Sequence, residues 1–194
     1  MSDDRIGVFI CHCGINIAGT VDCYTVSEAI GRSGVSLVRE HPYMCTGGQA
    51  QIISDIEEYG LNRIVVAACS PRIHEVTFRT VCMAAGINPY LMEMVNIREQ
   101  CSWCHAHDAG GATRKAIDCV RMGIEKVKLN EALTPLRVPM TKKALVIGGG
   151  ISGIETSLQL GDLGHKLILV EKAATIGGKM AQLNKIFPDQ NCSP

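Results

Sequence analysis

From residue 5 onward, short apolar and β-branched runs alternate with longer amphipathic stretches. "RIGVFIC", "VDCYTVSEAIGRS", "VSLVREHPYMC", "GGQAQIISDIEEYG", "RIVVAACS", "HEVTFRTVCMAAG" and "YLMEMVNIREQC" follow one another. Strand-like runs separated by helical patterns of roughly 10 to 15 residues predict βαβ units, a parallel sheet and right-handed crossovers. Gly60 and Gly86 fall where helix ends are expected, just before "LNRIVVAA" and "INPYLMEM". The pattern therefore predicts a small doubly wound α/β domain with four parallel strands. "AGGATRKAIDCVRMGIEKVK" carries apolar positions at helical spacing with basic residues between them, predicting an amphipathic helix that closes this domain. "LNEALTPLRVPMTKK" contains two prolines and interrupts both periodicities, as a linker does. The boundaries expected are residues 1–130 for the first domain, 131–142 for the linker and 143–194 for a second region.

Charge and composition narrow the chemistry. Nineteen basic residues balance nineteen acidic ones, which leaves no positive field for nucleic acid to exploit. The longest apolar runs fall far short of the roughly 20 residues that span a bilayer, and "MSDDRIG" has no secretory character. The expectation is a cytoplasmic protein with no membrane span. Ten cysteines without a secretory signal favour metal or redox chemistry over disulfide scaffolding.

Five of those cysteines fall at predicted strand ends. Cys11 and Cys13 follow the first strand in "FICHCG", Cys45 the second, Cys69 the third and Cys101 the fourth. In an open α/β sheet the carboxyl ends of the strands share one edge, where ligands bind. Five thiols would converge there, and thiolates are the ligands that select iron-sulfur clusters or zinc. A 4Fe-4S cluster takes four of them. One of Cys11 and Cys13 is then surplus, and the sequence leaves open which. Gly14, Gly47, Gly48 and Pro71 would supply backbone donors and room nearby, and His12 would act from just outside the ligands. Cys23, Cys82 and Cys119 lie within helical patterns and read as core. Cys104 forms a C-x-x-C pair with Cys101, beside His105 and His107, without a local signature that fixes its role.

"KKALVIGGGISGIETSLQLGDLGHKLILVEK" fits strand, glycine turn, helix, strand. Gly148, Gly150 and Gly153 occupy the places of a dinucleotide fingerprint: the tight turn, the close approach to a pyrophosphate, and the packing of helix on strand. The pyrophosphate would rest on the helix N-terminus at Ile151 and Ser152. Glu171, at the end of the next strand and followed by Lys172, would accept hydrogen bonds from ribose hydroxyls. Gly177, Gly178 and Lys179 in "ATIGGKMAQL" follow the acid as in FAD enzymes with two dinucleotide-binding domains, which favours FAD over NAD. Residues 143–194 thus read as the first βαβ part of an incomplete Rossmann-like FAD-binding domain. No residue reads as a catalytic acid, base or nucleophile, as expected where cofactors carry the chemistry.

"VFICHCGINIAG", "LNRIVVAACSPRIHE", "INPYLMEMVNIREQCSW", "KKALVIGGGISGIE" and "IGGKMAQLNKIFPDQNCSP" together resemble the amino-terminal part of the A subunit of heterodisulfide reductase. The resemblance covers essentially the whole chain. It implies an iron-sulfur domain ahead of a thioredoxin-reductase-like FAD domain. It also implies electron relay between FAD and 4Fe-4S clusters, with flavin-based electron bifurcation in the complete protein. The partners it implies are other heterodisulfide-reductase-like subunits, a hydrogenase or formate dehydrogenase type electron donor, and ferredoxin. Cys104 departs from the resemblance, standing where an aliphatic residue is expected. The family continues past "NCSP" with a second cysteine or a selenocysteine, so the resemblance suggests truncation at a selenocysteine codon, with a split gene and a deliberately shortened chain as the rivals, and leaves the role of Cys192 open. A non-enzymatic, zinc- or cluster-stabilised docking module for larger redox subunits is the alternative reading.

Overall fold

The computed structural model describes residues 4–183, 185, 187 and 188. The chain divides into two compact units, Met1–Pro135 and Leu136–Pro194.

The first unit is built on β1 (Ile6–Cys11), β2 (Leu37–His41), β3 (Arg63–Ala68) and β4 (Met92–Asn96). They form one sheet in the order β2-β1-β3-β4, and every pairing is parallel. Five helices accompany them: α1 (Ile15–Ala18), α2 (Cys23–Gly31), α3 (Gln49–Tyr59), α4 (Pro71–Ala84) and α5 (Ala109–Leu129). Successive strand residues point to opposite faces, so the two inner strands are apolar nearly throughout. Ile6, Val8, Ile10, Val65 and Ala67 pack with Val26 and Ile30 of α2 and Val120 and Ile124 of α5. Phe9, Ile64, Val66 and Ala68 pack on the other face with Ile52 and Ile56 of α3 and Phe78 and Val81 of α4. Each fully buried side chain of this size contributes about 1.5–3 kcal/mol.

Local chemistry fixes where the helices begin and end. The side chain of Asp22 accepts the Thr25 N–H at 3.0 Å, and that of Asp108 accepts the Gly111 N–H at 2.8 Å. Ser70 caps α4 ahead of Pro71, and Gly60 ends α3 in the left-handed conformation. Gly86, also at positive φ, stands one residue beyond the α4 cap at Ala85. Gly123 lets α5 lie against the sheet, since a Cβ there would come within 2.3 Å of Val95 Cγ2.

After β2 the chain crosses back over β1 to reach β3 and β4, so strand order reverses between β1 and β3. Crevices at the carboxyl ends of strands flanking such a reversal are where α/β sheets bind ligands.

In the second unit β5 (Lys143–Ile147) pairs in parallel with β6 (Lys166–Val170), joined through α6 (Ile151–Asp162). Residues 131–142 carry no helix or strand and are exposed throughout. Among the described residues no helix is long and apolar enough to cross a membrane.

Candidate functional site

The thiols of the first unit sort into two groups. Cys11 ends β1 with its side chain on the α3/α4 face, and its Sγ accepts the backbone N–H groups of Cys13 and Met44, each at 3.3 Å. Cys13 follows in a turn with φ +50, and it is the one non-glycine at positive φ among the described residues. Cys69 is buried just past β3 and Cys45 half-buried in the turn after β2, both against the same core. Cys13 and Cys45 each raise the pKa of both Cys11 and Cys69, so the four thiols are electrostatic neighbours.

Burial is the first cause that pushes Cys11 up, partly offset by the Met44 and Cys13 N–H groups, and it pushes Cys69 up to about 11. In both, burial favours the neutral thiol over the thiolate. Backbone N–H groups already aimed at Cys11 Sγ are the kind of contact that supports a ligating sulfur. Among the described residues no three His, Cys, Asp or Glu side chains are gathered around one point closely enough to hold a single ion. The four thiols share an edge of the fold instead.

Cys101 stands apart. It lies in the π-helical turn Arg98–Ser102, where Ser102 N–H donates to Ile97 O at 3.0 Å and Trp103 N–H to Arg98 O at 2.9 Å. The wider π turn aims Cys101 into the α2/α5 core, with its Sγ 3.9 Å from that of Cys119. Burial first, then Cys119, pushes it up to about 12. Exposed Cys104 is 3.8 Å from Lys115 Nζ. Of the five sequence-derived ligand candidates, Cys11, Cys13, Cys45 and Cys69 pack on the α3/α4 core, and Cys101 packs on the other face.

The same π turn sends Arg98 back towards the thiols. Its Nη1 donates to Cys13 Sγ at 3.2 Å, its Nη2 to Glu99 Oε1 at 2.9 Å, and its guanidinium lies 4.8 Å from the centre of the Trp103 ring. Burial opposes its charge, but Glu99 and Cys13 outweigh this and raise its pKa. Glu99 Oε2 is buried without a hydrogen-bond partner among the described residues. His12 pairs with Glu40 at 2.9 Å. Arg98 was not singled out by sequence, since nothing local marks an arginine that reaches a residue 85 positions away.

In the second unit the three fingerprint glycines take different roles. Gly148 sits at φ +105, and a Cβ on Gly153 would fall 1.8 Å from Gly148 O, so the turn and α6 admit no side chain there. A Cβ on Gly150, at the N-cap of α6, would meet nothing within 4 Å, leaving that backbone open to a ligand. Gly148, Gly150, Ile151, Ser152, Gly153, Gly177 and Lys179 line a hollow of about 340 Å³. Glu171 accepts the Ala173 N–H at 2.8 Å and the Gly149 N–H at 2.6 Å, and these two donors, in that order, hold its pKa below the ordinary range. A carboxylate has roughly four acceptor sites, so capacity remains for hydroxyls. Lys172 follows it, and Gly178 at φ +55 closes the far side of the turn, where a Cβ would approach Gly150 Cα at 3.1 Å. Cys192 lies outside the described residues.

No protein-family model matches the chain. It is 54% identical over 193 residues to the second iron-sulfur A subunit of the CoB–CoM heterodisulfide reductase of Methanopyrus kandleri. It is 52% identical over 192 residues to the A subunit of the ferredoxin/F420H2-dependent CoB–CoM heterodisulfide reductase of Methanosarcina acetivorans. It is 50% identical over 195 residues to the A subunit of the H2:CoB–CoM heterodisulfide,ferredoxin reductase of Methanothermobacter thermautotrophicus. These alignments cover 98%, 97% and 100% of this chain and 29%, 24% and 30% of those relatives, so the chain spans less than a third of their length.

Proposed function

Because the chain belongs with the heterodisulfide reductase A subunits, whose amino-terminal part it matches, we propose that it is an electron-relay component carrying one 4Fe-4S cluster and the first half of an FAD site. The observation that supports the reading is that Cys11, Cys13, Cys45 and Cys69, which end or follow β1, β2 and β3, all pack on the α3/α4 core beside the reversal of strand order. In this assignment these four thiolates are the ligands. Cys101, packed on Cys119, is the rival fourth ligand.

A cluster supplies one-electron transfer, and a flavin joins that to two-electron chemistry. The protein's part is to bind and orient. Met44 and Cys13 N–H groups support Cys11, and the buried walls of the site keep water from Cys69. At the second site the α6 N-terminus would offer free N–H groups to a pyrophosphate, Gly150 would allow its approach, and Glu171, which holds the turn through the Gly149 N–H, would accept from ribose hydroxyls. The complete protein would pass electrons from a hydrogenase or formate dehydrogenase type donor, through FAD and clusters, to ferredoxin and partner subunits in the cytoplasm, with bifurcation at the flavin.

Anaerobic purification with iron, sulfide and zinc analysis tests this. About four irons and four sulfides per chain are expected, retained in Cys101→Ser and lost in Cys11→Ser. Loss in Cys101→Ser with retention in Cys11→Ser would exchange the fourth ligand. Stoichiometric zinc without iron would refute the relay and leave a docking module.

A further inference from the structure

We infer that Arg98 is a positioning residue that sets the reduction potential of the cluster, through a braced positive charge directed at the Cys13 sulfur. The inference rests on the cluster assignment above.

The geometry is that of a fixed charge. The guanidinium is held at three places: the Cys13 Sγ at 3.2 Å, the Glu99 carboxylate at 2.9 Å, and the face of Trp103 at 4.8 Å. Its side chain is only 15% exposed, so solvent screens it weakly. The π-helical turn produces this arrangement, returning Arg98 to the thiol edge while Cys101 enters the opposite core. The contact is a charge-assisted hydrogen bond, the stronger kind.

Glu99 opposes Arg98 but does not cancel it. One carboxylate oxygen is engaged by the guanidinium, and the other is buried without a partner among the described residues. Of the two groups it is the guanidinium, not the carboxylate, that contacts a thiol sulfur. The pair therefore acts as a dipole with its positive end at the sulfurs. Reduction adds an electron to the cluster, and a positive charge beside its ligands favours the reduced form. Hydrogen bonds and net charge near the sulfurs are recognised determinants of such potentials.

The test is an EPR-monitored redox titration of the cluster-loaded protein and of three variants, with iron counted in each. Arg98→Gln should keep its iron and lower the midpoint by at least a tenfold change in the reduced-to-oxidised ratio, about 59 mV for one electron. Arg98→Lys should recover most of that shift. Glu99→Gln should move the midpoint the other way, and it decides the matter if Arg98→Gln cannot hold iron. Unchanged midpoints in Arg98→Gln and Glu99→Gln, with iron intact, would overturn the role of Arg98 and leave the cluster assignment standing. Absence of iron from the unmodified protein would overturn that assignment instead.

Discussion

Replacing Cys13 by alanine and by glycine separates the work of its thiol from the strain of its backbone. At φ +50 this residue occupies the left-handed region, which costs an L-amino acid about 1–2 kcal/mol. Cys13→Ala keeps the Cβ and the strain, whereas Cys13→Gly removes both. Glycine in turn gives the unfolded chain more freedom, which costs about 0.4–1 kcal/mol. Both variants lose the same hydrogen bond from Arg98, which retains Glu99 and Trp103 as partners. The shared loss cancels in the comparison. The metal-free Cys13→Gly protein should therefore be about 1 kcal/mol more stable than Cys13→Ala. Urea unfolding followed through Trp103, the sole tryptophan, reads the first unit. Equal stability, or greater stability of Cys13→Ala at the same urea dependence, would refute a left-handed backbone at Cys13. Neither variant should carry a full complement of iron. That pairing, relaxed backbone with lost ligand, is expected where strain is kept for function.

Two further outcomes concern the second unit. Gly153→Ala places a Cβ against Gly148 O, and overpacking of about 1–3 kcal/mol should weaken flavin retention roughly 5- to 150-fold in the complete protein, measured by equilibrium dialysis. Unchanged retention would show that the turn accommodates a side chain. The folded pKa of Glu171 lies below its unfolded value, so its hold on the turn is present above about pH 4.3 and is lost as pH falls through the lower folded value. Amide exchange at Ala173 and Gly149, corrected for intrinsic rates, should show protection disappearing across that window. The same profile in Glu171→Gln would exclude the carboxylate as the cause.

The fold was legible because its signal is periodic. Apolar runs separated by amphipathic stretches correspond to the four parallel strands and the helices between them, and Gly60 ends α3 where a left-handed residue was needed. Cysteines at strand ends could be placed on one edge from the same pattern. Side-chain direction within the intervening loops could not. Periods of 2 and 3.6 do not describe a π turn, so the orientation of Cys101 towards Cys119 has no counterpart in the sequence pattern. The positive φ of Cys13 is similarly invisible, because glycine and asparagine are the residues that ordinarily announce it. Arg98 reaches Cys13 only through the tertiary fold.

The return of the chain across β1 also bears on the order of assembly. Cys11, Cys45 and Cys69 follow three different strands, brought together only by parallel pairings. In small zinc domains neighbouring ligands capture metal early, and binding drives folding. Of the four proposed ligands a short stretch supplies just the Cys11 and Cys13 pair, so in that assignment the sheet must close before four thiolates are presented together. Non-local parallel pairing is slow to form. On that assignment cluster insertion would be a late maturation step performed on a folded apoprotein, its stability coming from the two apolar cores before any iron arrives.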